Sequence, residues 1–386
     1  MGQHQRLRLV IAGGGTGGHV LPALAVLEAF AALDEPVDAL WIGSVDGVER
    51  EASEAAGIPF RSVPTGKLRR YLDYRTPLDL ARIPVGLVQS WRVLREYQPD
   101  VVFSTGGFVS VPTVVAAARR FPILTHEQTA ILGLATRINL RVADVAAVSY
   151  ESTAEMARHR HRHVVVTGNP VRSSLLTGDR ERGIAEFGLT PSLPLLYVTG
   201  GARGASPLNQ LLERLLPELL ETCQVIHQAG PASANGDLDR LQARALTWPK
   251  ELQRRYRVME FVREELPDVY AAADLILGRA GAGTVAELAF LGKPAILIPL
   301  PGAGSDEQTR NADLLVSAGG AVALPESEAT PERLREAIMS LMPHPDRLRE
   351  MGTNARTIGY PDAAKRLATL LIDLATKRLP ERPEIG

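Results

Sequence analysis

The chain has 386 residues, 45% hydrophobic and 23% charged, with Lys+Arg 43 against Asp+Glu 44. That length predicts two sizeable domains, each able to bury its own core, and the apolar content excludes a disordered chain. The near-zero net charge excludes a dedicated nucleic-acid binder, and the lone Cys223 excludes an intramolecular disulfide and a cysteine-built zinc site.

The first apolar run, Leu7 to Ala12, leads into GGGTGGH at 13–19. After Arg6 and Arg8 only Leu9 to Ala12 remain apolar before the glycines, too short for a signal peptide. The G-x-G-x-x-G loop after a strand and before a helix presents backbone N–H groups to a phosphate or another anion. His19 closes the loop in the first helical turn. It can serve as a general base, and a helix N-terminus favours the neutral ring; equally, it can merely hydrogen-bond the loop. A second strand, Val37 to Ile42, ends in Gly43-Ser44, with Asp46 too far along to hold a ribose, which disfavours a nicotinamide cofactor.

Residues 61–95 are basic, with Arg61, Lys67, Arg69, Arg70, Arg75, Arg82, Arg92 and Arg95 against Asp73 and Asp79. Leu68, Tyr71, Leu72, Leu78, Leu80, Ile83, Val85, Leu87, Val88 and Trp91 are interleaved. Such a segment can lie on an anionic bilayer, or its apolar residues can face the core while arginine stems cover the helix.

The run 100–103 leads into STGGF (104–108), and Val164-Val165-Val166 leads into the extended turn TGNP. A domain boundary is placed near 165. Arg172, just beyond, is a candidate diphosphate clamp. The strand–glycine–helix pattern then restarts with 195–198 and TGGARGA (199–205), which carries Arg203, and again with 274–277 and GRAGAGT (278–284). Thr284 is expected to open a helix that carries Glu287 one turn in. That carboxylate can accept both hydroxyls of a ribose or simply favour the helix N-terminus. After the buried strand 295–299, Gln308 and Asn311 are spaced to share one helix face, which suits neutral sugar hydroxyls. A last helix is expected at about 363–377.

The longest apolar stretch, 275–300, is broken by Arg279, Glu287 and Lys293, so no membrane span is expected. Apolar strands alternating with amphipathic segments predict α/β architecture with two doubly wound parallel-sheet, Rossmann-like domains. They are placed at 1–165 and 166–362, with the 363–377 helix packing back on the first. No metal-ligating cluster is visible, so no obligatory metal is expected; a nucleotide diphosphate can bring Mg²⁺ with it.

GGGTGGHV, STGGFVS, HEQ, TGNPVR, TGGARGA and GRAGAGTVAEL with GKPAILIP and DEQTRNA occur in the order and spacing of one family. Over nearly its whole length the chain resembles the MurG family of peptidoglycan N-acetylglucosaminyltransferases. The resemblance implies a GT-B fold, two Rossmann-like domains separated by a cleft. It implies inverting transfer of N-acetylglucosamine from UDP-N-acetylglucosamine to the C4 hydroxyl of the muramic acid of lipid I, giving lipid II and UDP. The implied setting is peripheral, at the cytoplasmic face of the bacterial membrane, with an anionic membrane surface as partner.

By position, the resemblance implies that His19 is catalytic. Donor contacts are implied for Thr16, Gly17, Gly18, Thr129, Arg172, Gly201, Ala202, Val262 (against uracil), Ala282, Thr284, Glu287, Gln308 and Asn311. The loop residues Gly14, Gly15, Thr105, Gly106 and Gly107 are implied to meet the acceptor diphosphate. Thr129 stands where the family has Asn, Glu307 where Gln is common, and Phe108 where Tyr is frequent. Rival readings are a GT-B transferase with another acceptor, a nucleotide-sugar epimerase, a nicotinamide oxidoreductase, and a non-catalytic sugar-nucleotide-binding module.

Overall fold

The structure is a computed structural model describing residues 6–45, 47–65, 76–202, 204–302 and 306–376. Lys67, Leu68, Arg69, Arg70, Tyr71, Leu72, Asp73, Arg75, Asp46 and Arg203, singled out above, lie outside the described residues. The chain forms two compact units, one of residues 1–172 with 360–386, the other of residues 173–359.

The first unit is built on a seven-stranded parallel sheet: β1 (Leu7–Gly13), β2 (Val37–Gly43), β3 (Phe60–Ser62), β4 (Val101–Gly106), β5 (Ile123–Glu127), β6 (Val145–Val148) and β7 (Val164–Val166). Their spatial order is β3-β2-β1-β4-β5-β6-β7. Central strands covered on both faces need apolar residues at every position rather than alternation. Leu9, Val10, Ile11 and Ala12 of β1 are accordingly all fully buried, as are Val101, Val102 and Phe103 of β4.

The helix Gly17–Ala32 lays Val20, Ala23, Val26 and Phe30 on one face of this sheet. The C-terminal helix Ala363–Ala375 shares that core through Leu367, Ala368, Leu371 and Leu374. The contact boundary after Arg172 corrects the expected break at 165. Val164–Val166 is the last strand of the first sheet, and the turn that follows stays with it: Gly168 packs on Tyr360, and its carbonyl oxygen takes the His126 ring at 3.0 Å.

The second unit holds a six-stranded parallel sheet: β8 (Leu195–Thr199), β9 (Gln224–Gln228), β10 (Tyr256–Met259), β11 (Leu275–Gly278), β12 (Ala295–Leu297) and β13 (Ala321–Ala323). Its order is β10-β9-β8-β11-β12-β13. Both sheets therefore reverse direction once, between β1 and β4 in the first and between β8 and β11 in the second. Such reversal points open a crevice at the carboxyl ends of the strands. The loops after these four strands are the four glycine-rich segments of the sequence.

Candidate functional site

In the first unit, the β1 loop is shaped by a residue the sequence reading missed. Glu49 is fully buried and accepts from Gly15 N at 2.8 Å, Ser44 N at 2.7 Å and Ser44 Oγ at 2.6 Å. A Cβ at Gly14 would lie 2.2 Å from the Glu49 carboxyl carbon, so glycine alone lets the loop close over this carboxylate. Thr16 caps the helix in extended conformation and is exposed, with Gly17 and Gly18 partly accessible.

The β4 loop runs alongside. Gly107 has φ 73°, and a Cβ there would lie 2.7 Å from Gly14 O and 3.1 Å from the His19 ring, so the two loops approach as bare backbone. His19 Nδ1 is 2.8 Å from Thr105 O. A carbonyl oxygen only accepts, so the neutral ring carries its hydrogen on Nδ1 and its lone pair on Nε2.

Gln128 Nε2 donates to the same Thr105 oxygen at 2.7 Å and lies 3.2 Å from His126 Nδ1. Burial holds the His126 ring at a pKa of about 4, against the opposing pull of its bond to Gly168; the His19 charge lowers it further. Sequence inspection quoted HEQ as a motif, but nothing in it tells that Gln128 buttresses the carbonyl that orients His19.

Thr129 is turned inward. Its hydroxyl is 2.9 Å from Glu127 Oε1 and 2.6 Å from Ile131 O, and the residue is 8% exposed. Glu127 also accepts from Gly133 N at 3.0 Å. Thr129 thus knits the loop after β5, its single hydroxyl hydrogen shared between these two oxygens.

In the second unit, the loop after β8 is tied by Gln228, another residue missed in the sequence. Its Nε2 lies 3.2 Å from Thr199 Oγ1 and 3.3 Å from Gly201 O, while its Oε1 accepts from Val262 N at 2.9 Å. One side chain therefore spaces Gly201 and Ala202, the latter exposed, from the buried Val262.

After β11, the helix spans Ala282–Leu291 with Gly281 as its cap, so it starts before Thr284, which lies in the first turn. Ala282 and Gly283 enter the helix ahead of the threonine, which puts its start two residues upstream of the expected position. Glu287 is half-buried, and Tyr270 donates its hydroxyl to Glu287 Oε2 at 2.7 Å. Tyr270 packs edge-on against Tyr197 at 5.6 Å between centroids, and burial followed by the Glu287 charge raises the Tyr197 hydroxyl pKa.

Gln308 and Asn311 do share a face of the helix Glu307–Ala318, and that face is committed to the protein. Gln308 Oε1 accepts from Leu300 N at 2.9 Å; Asn311, fully buried, donates to Ala280 O at 3.2 Å. Asn311 therefore holds the GRAGAGT backbone in place through Ala280. Arg279 anchors the same region through Ile298 O at 3.0 Å and an ion pair with Glu326.

Arg172 is partly buried in the turn after β7. Among the described residues, no group of three His, Cys, Asp or Glu side chains is placed to hold a metal ion, and no helix is long and apolar enough to cross a membrane.

The basic segment contains the helix Thr76–Tyr97. Gly86, Ser90 and Leu94 face inward at helical spacing, whereas Arg82, Val85, Val88, Arg92 and Arg95 form an outer stripe. Val85 and Val88 are 48% and 49% exposed. Arg95 and Arg120 sit over the Trp91 ring at 5.3 and 5.6 Å.

Residues 9–148 match the glycosyltransferase family 28 N-terminal domain and residues 195–367 the C-terminal domain of the same family. A protein of Treponema pallidum named UDP-N-acetylglucosamine–N-acetylmuramyl-(pentapeptide) pyrophosphoryl-undecaprenol N-acetylglucosamine transferase is 38% identical over 94% of both chains. One of the same name from Desulfitobacterium hafniense is 36% identical, covering 96% of this chain and all of its own. The crystal structure of Acinetobacter baumannii MurG superposes with a TM-score of 0.70 at 28% identity, over 95% of this chain and 99% of that one. A Neisseria meningitidis UDP-GlcNAc 2-epimerase shares the fold at a TM-score of 0.65 and 13% identity, over 96% of this chain and all of its own.

Proposed function

We propose, from the premise that the chain belongs to glycosyltransferase family 28 and within it to the MurG family, that it transfers N-acetylglucosamine from UDP-N-acetylglucosamine to lipid I with inversion. The products are lipid II and UDP. The chemistry rests on one observation above all, the His19–Thr105 hydrogen bond, which leaves Nε2 of the ring as a proton acceptor at the sheet's reversal point.

In this reading, the acceptor C4 oxygen attacks the anomeric carbon and its proton passes to His19 Nε2. The bond from that carbon to the donor diphosphate breaks, and its electron pair leaves with UDP. Negative charge grows on the diphosphate, where Arg172 and the N–H groups of the Gly201–Ala202 turn and of Ala282 and Thr284 supply stabilisation. Mg²⁺ enters only as a companion of the nucleotide.

Glu287, steadied by Tyr270, accepts the ribose hydroxyls; Val262 lies against uracil, and Gln308 borders the sugar. Thr16, Gly17 and Gly18 complete the donor contacts, and Thr129 shapes the loop beside them. Gly14, Gly15, Thr105, Gly106 and Gly107 meet the acceptor diphosphate. The stripe of Arg82, Val85, Val88, Arg92 and Arg95 rests on the anionic membrane surface that presents the polyprenyl acceptor.

A coupled UDP-release assay with a short-chain lipid I analogue tests the assignment. UDP release that requires the analogue, with a disaccharide product, is expected. UDP release without acceptor, or conversion of the donor to its 2-epimer, would replace it with the hydrolase or epimerase reading.

A further inference from the structure

The second unit carries an open cavity of about 940 Å³ on the edge of its sheet opposite the glycine loops. Its wall is formed by residues that lead into the strands: Pro194 before β8, Asp274 before β11, and Lys293 and Pro294 before β12. Substrates of open α/β sheets bind at the carboxyl ends of the strands. This cavity lies at the amino ends and is separate from the donor site proposed above.

Its composition is specific. Arg180, Lys293, Arg349 and Arg356 line it, and Asp274 is the carboxylate among the lining residues. Asp274 is already committed: Arg180 holds both its oxygens at 3.0 Å, and one of them also accepts from Leu195 N at 2.8 Å. Arg349 pairs with Asp346 at the exposed rim.

Among the described residues, neither Lys293 nor Arg356 has an ion-pair partner of this kind. Lys293 Nζ donates to Ala271 O at 3.2 Å and Ala273 O at 3.0 Å, two neutral carbonyls for an ammonium with three hydrogens. Arg356 donates through one terminal nitrogen to Leu291 O at 3.1 Å. Its stem lies over Gly292, where a Cβ would sit 2.2 Å from Nε, so the glycine makes room for the guanidinium next to Lys293. Burial lowers the Lys293 pKa to about 8; Asp274 opposes this, and Arg180 and Arg356 add to it. A positive charge held where it is disfavoured stands to gain from an incoming anion.

The remaining wall is apolar and adaptable. Met339, Met342 and Leu348 line the cavity, the last two buried. The volume is that of a small-molecule site, and a few convergent polar groups on an apolar wall is the usual makeup of one.

We propose that this cavity binds an amphipathic organic anion, a phosphate monoester or carboxylate on a hydrocarbon stem. The anionic head sits on Lys293 and Arg356, and the stem lies along Met339, Met342 and Leu348. The site does not depend on the transferase reading, because binding is measured on the resting protein.

Titration calorimetry with octyl phosphate below its micellar concentration tests it. One saturable site is expected, with inorganic phosphate at least tenfold weaker and octanol giving no saturable heat. Arg356→Gln should weaken octyl phosphate at least tenfold. So should Thr353→Glu, which places a carboxylate on the cavity wall from an exposed position and leaves the core untouched. UDP should not displace the probe. Displacement by phosphatidic acid vesicles would assign the natural stem to a lipid, and its lack would assign it to a soluble ester; the site stands in either case. Absence of saturable heat, unchanged affinity in both folded variants, or displacement by UDP would overturn the proposal.

Discussion

His19 Nδ1 lies 2.8 Å from the carbonyl oxygen of Thr105, and that oxygen also accepts the Gln128 amide at 2.7 Å. The imidazole is thereby held in one tautomer by a backbone group that is itself held. In the proposed role of general base, a ring fixed in this way needs no reorientation when the acceptor arrives.

His19→Ala should lower kcat by about 10²–10⁴, the range of a lost general base. UDP affinity, read by calorimetry, should change less than about twofold, since a group acting on the acceptor proton makes no ground-state contact with the nucleotide. Turnover equal to the parent enzyme would remove His19 from the chemistry.

Tyr270→Phe should raise the donor KM several-fold while leaving kcat nearly unchanged. It deletes the 2.7 Å hydrogen bond that aims Glu287 and no part of the reacting groups. Glu287→Ala should raise the donor KM further. The double variant should fall short of the sum, with a coupling of about 0.5–3 kcal/mol from steady-state measurements. Strict additivity would show that the two side chains act independently.

Glu49→Ala should cost about 3 kcal/mol in urea denaturation, because it removes the buried carboxylate that the part-buried amides of Gly15 and Ser44 bond. Glu49→Gln should cost less, since the amide oxygen still accepts. A neutral outcome for the alanine variant would mean that the loop refolds around water.

Stability should fall on acidification through a window set by two buried histidines. Burial lowers the pKa of His126 to about 4 and that of His227 to about 3, against an unfolded value of 6.5. Below 6.5 the unfolded chain takes up protons that the folded rings refuse, so this contribution is complete above that pH and is lost as pH drops. Each ring contributes a slope of roughly 1.4 kcal/mol per pH unit in the window. Denaturation midpoints at pH 7, 6 and 5 should show the fall, and His126→Asn should make it shallower.

Val88→Glu with Arg92→Glu should reduce flotation with anionic vesicles at least tenfold, having reversed charge and removed apolar area on the exposed stripe. High salt should weaken binding of the parent protein as well. Equal flotation in parent and variant would place membrane contact elsewhere.

Much of the architecture was legible because buried parallel strands read as unbroken apolar runs ending in glycine. Leu9 to Ala12 and Leu275 to Leu277 are such runs, and all are fully buried. Glu287 was singled out from its offset to a glycine loop, and the helix it was expected to ride is there. Its partner Tyr270 was not, because a hydrogen bond between neighbouring helices leaves no spacing in the sequence. Glu49 and Gln228 were hidden for the same reason: each bonds a backbone group 34 residues away, Gly15 and Val262, brought near only by the fold. Asn311 marks a different limit. Its spacing to Gln308 correctly indicated a shared face, but only the packed helix reveals that this face turns toward Ala280.

The chain's final helix, Ala363–Ala375, completes the core of the unit that the chain begins. On the ribosome, the unit ending at Gly359 is therefore available to fold whole before the earlier one can close. Until that helix is made, Val20, Val26 and Phe30 lack a side of their packing. A stop codon ahead of Leu367 would leave the second unit intact and unseat the core of the first.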